Sequence, residues 1–513
     1  MASEPLVLAI DMGTQSARAL LCDSRGNILA KAQKIYETPY YSLRPGWAEQ
    51  SPGFFWEAVC ECCNRLKREN EALFSGVIAV TVSTIRDSCL CLDARMEPLR
   101  DVILWLDTRE SSNIKIPGFH SALYKLIGMT DTVKLQRRVS ACNWIAEHEP
   151  ELWQRTEKFV LLSAWLNYKL CGNLCDAVAS TVGHLPFSNK TRNWMTRGDF
   201  ARPIFDVRDS QLYDLADAGN ILGRITAAAA DQTGIPQGLP LIATGSDKAC
   251  ETLGLGCLTP DVAALSFGTT ATVEFTLPRY IEPFPFIPSY NSVVPGYYTP
   301  EVEIYRGYWL ISWFKKEFAA KECAEAEFLG VSAETVLNRK LSQIPPGCDG
   351  LMLHPYLTPG LVMPHARGSL MGLSDSHTRM HFYRAIIEGI NFALMEGLEN
   401  IEKRGKCKAE SLRVAGGGSQ SEEILQITAN MFGLPLRRVH THEVTGLGAS
   451  LAVFVAMGVY PGYSEAVAAM VRPGEPFMPD HEEHALYRKL YKETFTKVFE
   501  KLEPFYRGMK NIL

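Results

Sequence analysis

The stretch LVLAIDMGTQSARALLCDSRGNILAKAQK, Leu6 to Lys34, reads as three strands joined by two turns. Leu6–Asp11 is a short apolar run carrying Val7 and Ile10, the composition of a buried strand. The MGTQSA stretch that follows is a tight turn, and RALLC then alternates as a strand. Asp23-Ser-Arg-Gly-Asn27 supplies a second turn before ILAKAQK. The Gly13-Thr14 turn exposes backbone N–H groups and a hydroxyl at the end of a strand that carries Asp11. Such a turn can approach a phosphate closely, and it can equally be only a turn.

Outward from this opening, the pattern is α/β. Ser51-Pro52 has the chemistry of a helix start, and FFWEAVCECCNRLKRENEAL continues it. VIAVTVS and SCLCLD are the next strands, and helices alternate with strands down to LPLIATGSD. The second half opens as the first does, since AALSFGTTATVEF is again strand, Gly-Thr turn, strand. Gly13-Thr14 and Gly268-Thr269 stand about half the chain apart, as an internal repeat would place them. From Ser376 onward, Tyr383, Ile386, Ile387, Ile390, Leu394, Leu398 and Ile401 fall on one face of a long buried helix. SLRVAGGGSQSEEILQITANMFG reads strand, glycine loop, helix, and GLGASLAVFVAMG is a further apolar helix. The boundary falls near Gly254–Pro260, giving domains 1–256 and 257–513, read as two similar lobes facing a cleft.

Composition narrows the function. At 513 residues the chain exceeds one ordinary core, and 46% hydrophobic with 21% charged residues is globular composition. A net charge of −5 gives no electrostatic reason to expect nucleic acid or an anionic membrane. The N-terminus is acidic and passes quickly into a strand, unlike a signal peptide, and no apolar run reaches membrane-span length. Among fourteen cysteines, Cys60, Cys62 and Cys63 sit in a helical pattern and Cys89 and Cys91 in a strand pattern. Neither group makes the paired spacing of a zinc site, so buried reduced thiols and a cytoplasmic location are expected.

Three glycine turns follow strands: Asp11–Arg18, Ser266–Thr272 and Ala415–Ser421. The third opens a helix, whose free N–H groups and dipole favour an anion. None is a Walker loop. Asp247 follows a strand and precedes the helical KACETLG, so by itself it reads as an N-cap. Arg86 and Asp87 in STIRDSC could hydrogen-bond vicinal hydroxyls, or could form an ion pair at a loop end.

Taken in order, DMGTQSAR, PGWAEQSP, VILWLDTR, GSDKACETLGLG, SFGTT, MPHARGSLMGL, VAGGGSQS and the LGASLA helix resemble the FGGY carbohydrate kinase family over nearly the whole chain. The resemblance implies the actin-like ATPase fold, with two ribonuclease-H-like domains and MgATP between them. It implies phosphorylation of a hydroxyl of a small sugar or polyol, a pentulose, glycerol or a related carbohydrate, with Mg²⁺ and ATP. By it, Asp11 would hold the magnesium ion through water, Thr14 and Arg18 would lie near the transferred phosphoryl group, and Gly13 would be a further contact of the MgATP. Gly268 and Thr269 would cradle phosphates, Gly416, Gly417 and Gly418 would bind the nucleotide, and Asp247 would be the general base and a substrate contact. Arg86 and Asp87 stand where relatives carry sugar-binding residues. Asp107 and Arg109 match a motif of the scaffold, and Trp47 and Glu49 either close the sugar pocket or pack a turn. Two departures bear on which sugar is used: the lysine of many relatives is missing near Ser140–Trp144, and the stretch from Gly372 to His381 is short. The competing reading is an actin-like ATPase that uses nucleotide as a conformational switch, which would not need the Asp247 and Arg86-Asp87 elements. The resemblance leaves oligomeric state open, a homodimer among the options.

Overall fold

A computed structural model describes residues 4–116, 118–358, 360, 363 and 365–512. Met1–Ser3 of the acidic N-terminus and Pro364 of the MPHARGSLMGL motif lie outside the described residues. The chain divides into two compact units, Met1–Gly254 with Tyr290–Tyr298 and Glu443–Val471, and Leu255–Ser289 with Thr299–His442 and Arg472–Leu513.

In the first unit, strands β1 (Leu6–Met12), β2 (Ser16–Asp23) and β3 (Ile28–Ile35) form the predicted meander. Every residue of β1 is buried, which is why its sequence is apolar without alternation. The β2–β3 turn is fixed by Asp23, whose Oδ1 accepts from the N–H groups of Arg25 at 2.9 Å and Asn27 at 2.8 Å. Strands β4 (Val77–Thr84), β5 (Ile221–Arg224) and β6 (Pro240–Ile242) complete a sheet of order β5-β6-β4-β1-β2-β3. β1 pairs with β2 antiparallel and with β4 parallel. The helix Pro52–Glu69 starts where expected, with the Ser51 side chain accepting from Phe54 N–H at 3.1 Å. It ends at Glu69, and Glu71–Phe74 is a separate short helix.

The second unit repeats the plan with β7 (Val262–Phe267), β8 (Ala271–Glu274), β9 (Glu301–Ile304), β10 (Ser411–Ala415) and β11 (Leu436–Arg437) in the order β9-β8-β7-β10-β11. The first three strands pair antiparallel, as β1–β3 do, and β10 and β11 join in parallel, as β4 and β6 do, while β5 is an added antiparallel edge strand of the first unit. This shared order gives the Gly-Thr repeat its structural meaning. The helix Arg379–Gly405 is capped at Thr378 and buries all seven residues of its predicted face.

The units do not follow the expected division at 256/257 throughout. Tyr290–Tyr298 and Glu443–Val471, sequence from the second half, pack with the first unit. The reason for the larger segment lies in glycines. A Cβ on Gly448 would fall 1.9 Å from the Cys250 carbonyl oxygen, and one on Gly254 would fall 2.0 Å from that of Val444. The helices Asp247–Gly254 and Val444–Ala456 therefore meet backbone to backbone.

All fourteen cysteines are unbonded. Among the described residues no helix is long and apolar enough to cross a membrane.

Candidate active site

In the first unit, the end of β1 brings together Asp11, Gly13, Thr14 and Arg18, with the charge of Asp247 near Asp11. Asp11 lies opposite Arg18 in the β1–β2 register, and Arg18 Nη1 donates to Asp11 Oδ2 at 3.0 Å. Burial raises the Asp11 carboxyl to about 6; Arg18 opposes that rise, and the charges of Asp247 and Glu443 add to it. The turn after β1 closes by Gly13 N–H donating to the Ser16 carbonyl at 3.0 Å. Thr14 Oγ1 accepts from Trp105 Nε1 at 3.0 Å.

Asp247 is the first residue of its helix and not its cap. Ser246 accepts from the N–H of Ala249 at 3.3 Å, while among the described residues Asp247 Oδ1 takes only the adjacent N–H of Lys248, at 2.8 Å. Burial pushes the Asp247 carboxyl above the usual carboxylate range, and the charges of Arg86 and then Lys248 pull it back. A partly buried carboxylate with a raised affinity for protons is suited to accepting one.

Arg86 and Asp87 lie in the first unit with separate partners. The Arg86 guanidinium sits 5.2 Å from the centroid of the Tyr290 ring. Asp87, at φ +49°, takes the Nδ1 of His184 at 2.6 Å through Oδ2 and its backbone N–H at 2.9 Å through Oδ1.

Trp47 and Glu49 belong to a packed brace. Arg109 lies over the Trp47 ring at 4.0 Å and the Trp144 ring at 4.6 Å, and is ion-paired with Asp107 at 2.7 Å and Glu49 at 3.0 Å. Asp107 Oδ2 also accepts from Ala48 N–H at 2.7 Å, and Glu49 accepts from Arg100 as well. This brace holds the chain at Trp105, which bonds to Thr14 through its ring and to Ser88 through its N–H at 3.3 Å.

In the second unit the two glycine turns are neighbours. The carbonyls of Gly268 and Thr269 accept from Tyr308 N–H at 3.1 Å and Trp309 N–H at 3.3 Å. Gly416, at φ +87°, lies so close to Phe267 that a Cβ would meet its carbonyl carbon at 2.7 Å, and a Cβ on Gly418 would meet the Tyr308 ring at 2.4 Å. Gly417 is exposed with open space around it, and Thr269 is exposed. The helix does not open at these glycines. A 3-10 turn, Gly417–Gln420, intervenes, and Ser421 caps Glu422–Phe432 by accepting from Ile424 N–H at 3.3 Å. The groups free to meet a phosphate are accordingly those of the turn.

Sequence reasoning missed Glu443, 3.5 Å from Arg18 and 2.7 Å from Lys31, and His184. Neither sits in one of the three glycine turns that follow strands, so none of the motifs above marks it.

Among the described residues no group of three His, Cys, Asp or Glu side chains could hold a metal ion. Mg²⁺ keeps several waters and takes one or two carboxylates with substrate phosphates. Asp11 and Asp247, near enough to raise the proton affinity of Asp11, fit such an ion.

Residues 6–254 match the N-terminal domain of the FGGY family of carbohydrate kinases and residues 263–457 its C-terminal domain. The chain belongs to the FGGY family of carbohydrate kinases. It is 28% identical over 496 residues to a xylulose kinase of Staphylococcus epidermidis, covering 95% of each chain. Its fold matches a gluconate kinase from Lactobacillus acidophilus with a TM-score of 0.83 at 22% identity, over 99% of this chain and 100% of that one. A ligand-bound xylulose kinase from the same organism matches with a TM-score of 0.83 at 21% identity, over 98% and 100%. The fold is thus the two-domain actin-like ATPase fold, and the protein is a sugar kinase with ATP as phosphate donor.

Proposed function

We propose that this kinase transfers the γ-phosphoryl group of ATP to a hydroxyl of a small ketose or polyol, with Asp247 as general base. The observation that carries the reading is the helix start at Ser246-Asp247. Because Ser246 takes the capping bond, the Asp247 carboxylate is left with one neighbouring N–H and the field of Arg86. In the reaction, the acceptor oxygen forms its bond to phosphorus as the bond to the β-phosphate oxygen breaks. The hydroxyl proton passes to Asp247, and ADP leaves.

Asp11, with Asp247 nearby, would hold Mg²⁺ through water, and the ion would supply charge neutralisation at the phosphates. Arg18 keeps the Asp11 carboxyl ionised and faces the same end of β1. Gly13 and Thr14 approach the transferred group, Gly268 and Thr269 the other phosphates, and Gly416–Gly418 the nucleotide. Arg86 serves the acceptor's remaining hydroxyls, while Asp87, expected as a second contact, is bonded to His184 through both oxygens. Action in the cytoplasm completes the reading; the fourteen cysteines, none in a disulfide, support a reducing compartment.

The relatives named above differ in their sugar, xylulose against gluconate, so the acceptor is tested directly. ADP release is measured against xylulose, ribulose, gluconate, glycerol and erythritol. One neutral acceptor should raise turnover by at least about 100-fold over ATP alone. Turnover indifferent to every sugar would instead favour a nucleotide switch.

A further inference from the structure

The Asp87 carboxylate is committed on both oxygens to a single residue, His184. Oδ1 takes the His184 backbone N–H at 2.9 Å, and Oδ2 takes the ring Nδ1 at 2.6 Å. A third bond, from Asp87 N–H to the Val182 carbonyl at 3.0 Å, stitches the two segments together. The backbone is bent to make this fit. Asp87 adopts φ +49°, and Gly183 adopts φ +152° with no room for a Cβ, which would lie 2.4 Å from Asp87 Oδ1. A non-glycine residue held in the left-handed region costs on the order of 1 kcal/mol or more, and persists where the surroundings enforce it. Here the outcome is a fixed imidazole. Nδ1 is occupied by Asp87, and Nε2 makes no hydrogen bond with any described residue. The His184 side chain is about a third exposed. Arg86, next to Asp87 in sequence, is near enough to Asp247 for its charge to act on that carboxylate.

We infer that His184, oriented by Asp87, is a specificity-determining residue that hydrogen-bonds through Nε2 to a non-reacting hydroxyl of the acceptor sugar. Asp87 is then a positioning residue, and the sugar contact expected of it passes to His184. The inference rests on the reading of Asp247 as the base, because that reading makes the surroundings of Arg86 the acceptor site. Nothing in the motifs of the glycine turns or of Asp247 points to position 184; the contact geometry does.

The experiment uses the full chain and the best acceptor of the wild type. His184→Asn keeps a donor near the Nδ1 position for Asp87 and removes the Nε2 position; His184→Gln does the reverse. Loss of one positioned hydrogen bond to a hydroxyl should raise the sugar KM about 10-fold or more in His184→Asn while leaving the ATP KM unchanged. His184→Gln should recover part of that loss. A second readout needs no variant kinetics: in ¹⁵N-histidine-labelled wild type, the His184 Nε2 resonance should move on adding sugar and not on adding ATP alone. It is assigned with whichever variant folds. A sugar KM within about twofold of wild type in His184→Asn, or an Nε2 resonance indifferent to saturating sugar, overturns the inference. Asp247→Asn, run beside these, separates the two failures. If it loses kcat while His184→Asn keeps its sugar KM, only the role of His184 falls; if it keeps kcat, the base assignment falls.

Discussion

Arg18 and Asp11 face each other across β1 and β2, with Arg18 Nη1 3.0 Å from Asp11 Oδ2, and Arg18 Nε lies 3.5 Å from Glu443. One guanidinium thus serves a carboxylate on β1 and another just ahead of the helix Val444–Ala456. Arg18→Met should leave Asp11 buried without its cation, so a carboxyl already raised to about 6 should rise further and spend less time ionised at neutral pH. We expect kcat to fall on the order of 100-fold and folding stability to fall with it. Glu443→Gln keeps the shape and should cost less than about tenfold. Steady-state kinetics of both variants check this, and a wild-type kcat in Arg18→Met would contradict it.

The three glycines after β10 should separate cleanly. Gly416 has φ +87° and no room for a side chain, so Gly416→Ala should destabilise the protein, by about 1–3 kcal/mol. Gly417 has nothing within 4 Å of an added Cβ. Gly417→Val should therefore keep its Tm and yet weaken ATP binding about tenfold or more, through steric exclusion of the nucleotide. Calorimetry with ATP and thermal unfolding test the pair. Unchanged ATP affinity in folded Gly417→Val would remove that residue from the nucleotide site.

Much of this was readable from the sequence, for identifiable reasons. Buried strands and their turns are local, so Leu6–Asp11, the Asp23 turn and the second Gly-Thr hairpin declared themselves. The long helix did so through one apolar face. What stayed hidden depended on contacts between segments distant in the chain. The capping role of Ser246 could not be told from that of Asp247, because adjacent polar residues offer the same local signal. The partnership of Asp87 with His184 spans 97 positions. The packing of Val444–Ala456 against Asp247–Gly254 follows from glycines whose need is visible only when the helices touch.

Asp176 offers a test of stability against pH. Its carboxyl is buried and raised to about 7 by that burial, although Ser163, Ala177 N–H at 2.8 Å and Asn167 at 3.1 Å bond to it. The folded state thus holds a proton that the unfolded state releases near the ordinary 3.8. Stability from this group is fully present below that value and is lost as pH rises toward about 7. Asp176→Asn keeps an acceptor oxygen for Ala177 N–H and Asn167, turns the Ser163 bond round so that its NH2 donates to the hydroxyl oxygen, and does not titrate. Relative to wild type, it should gain stability from pH 4 to pH 8, by about 4 kcal/mol as an upper bound. Denaturant unfolding at the two pH values measures this, and a difference independent of pH would contradict it.

The central claim is that Asp247 is the base and Ser246 the cap, and one measurement addresses it: kcat for phosphorylation of the best acceptor by Asp247→Asn. The asparagine keeps the size of the side chain and the bond to Lys248 N–H but cannot take the hydroxyl proton. We expect a kcat lower by about 100-fold or more, with Tm and ATP affinity near wild type. Ser246→Ala should show the converse, losing about 1 kcal/mol of stability with kcat largely retained. An Asp247→Asn enzyme that turns over at the wild-type rate would contradict the claim.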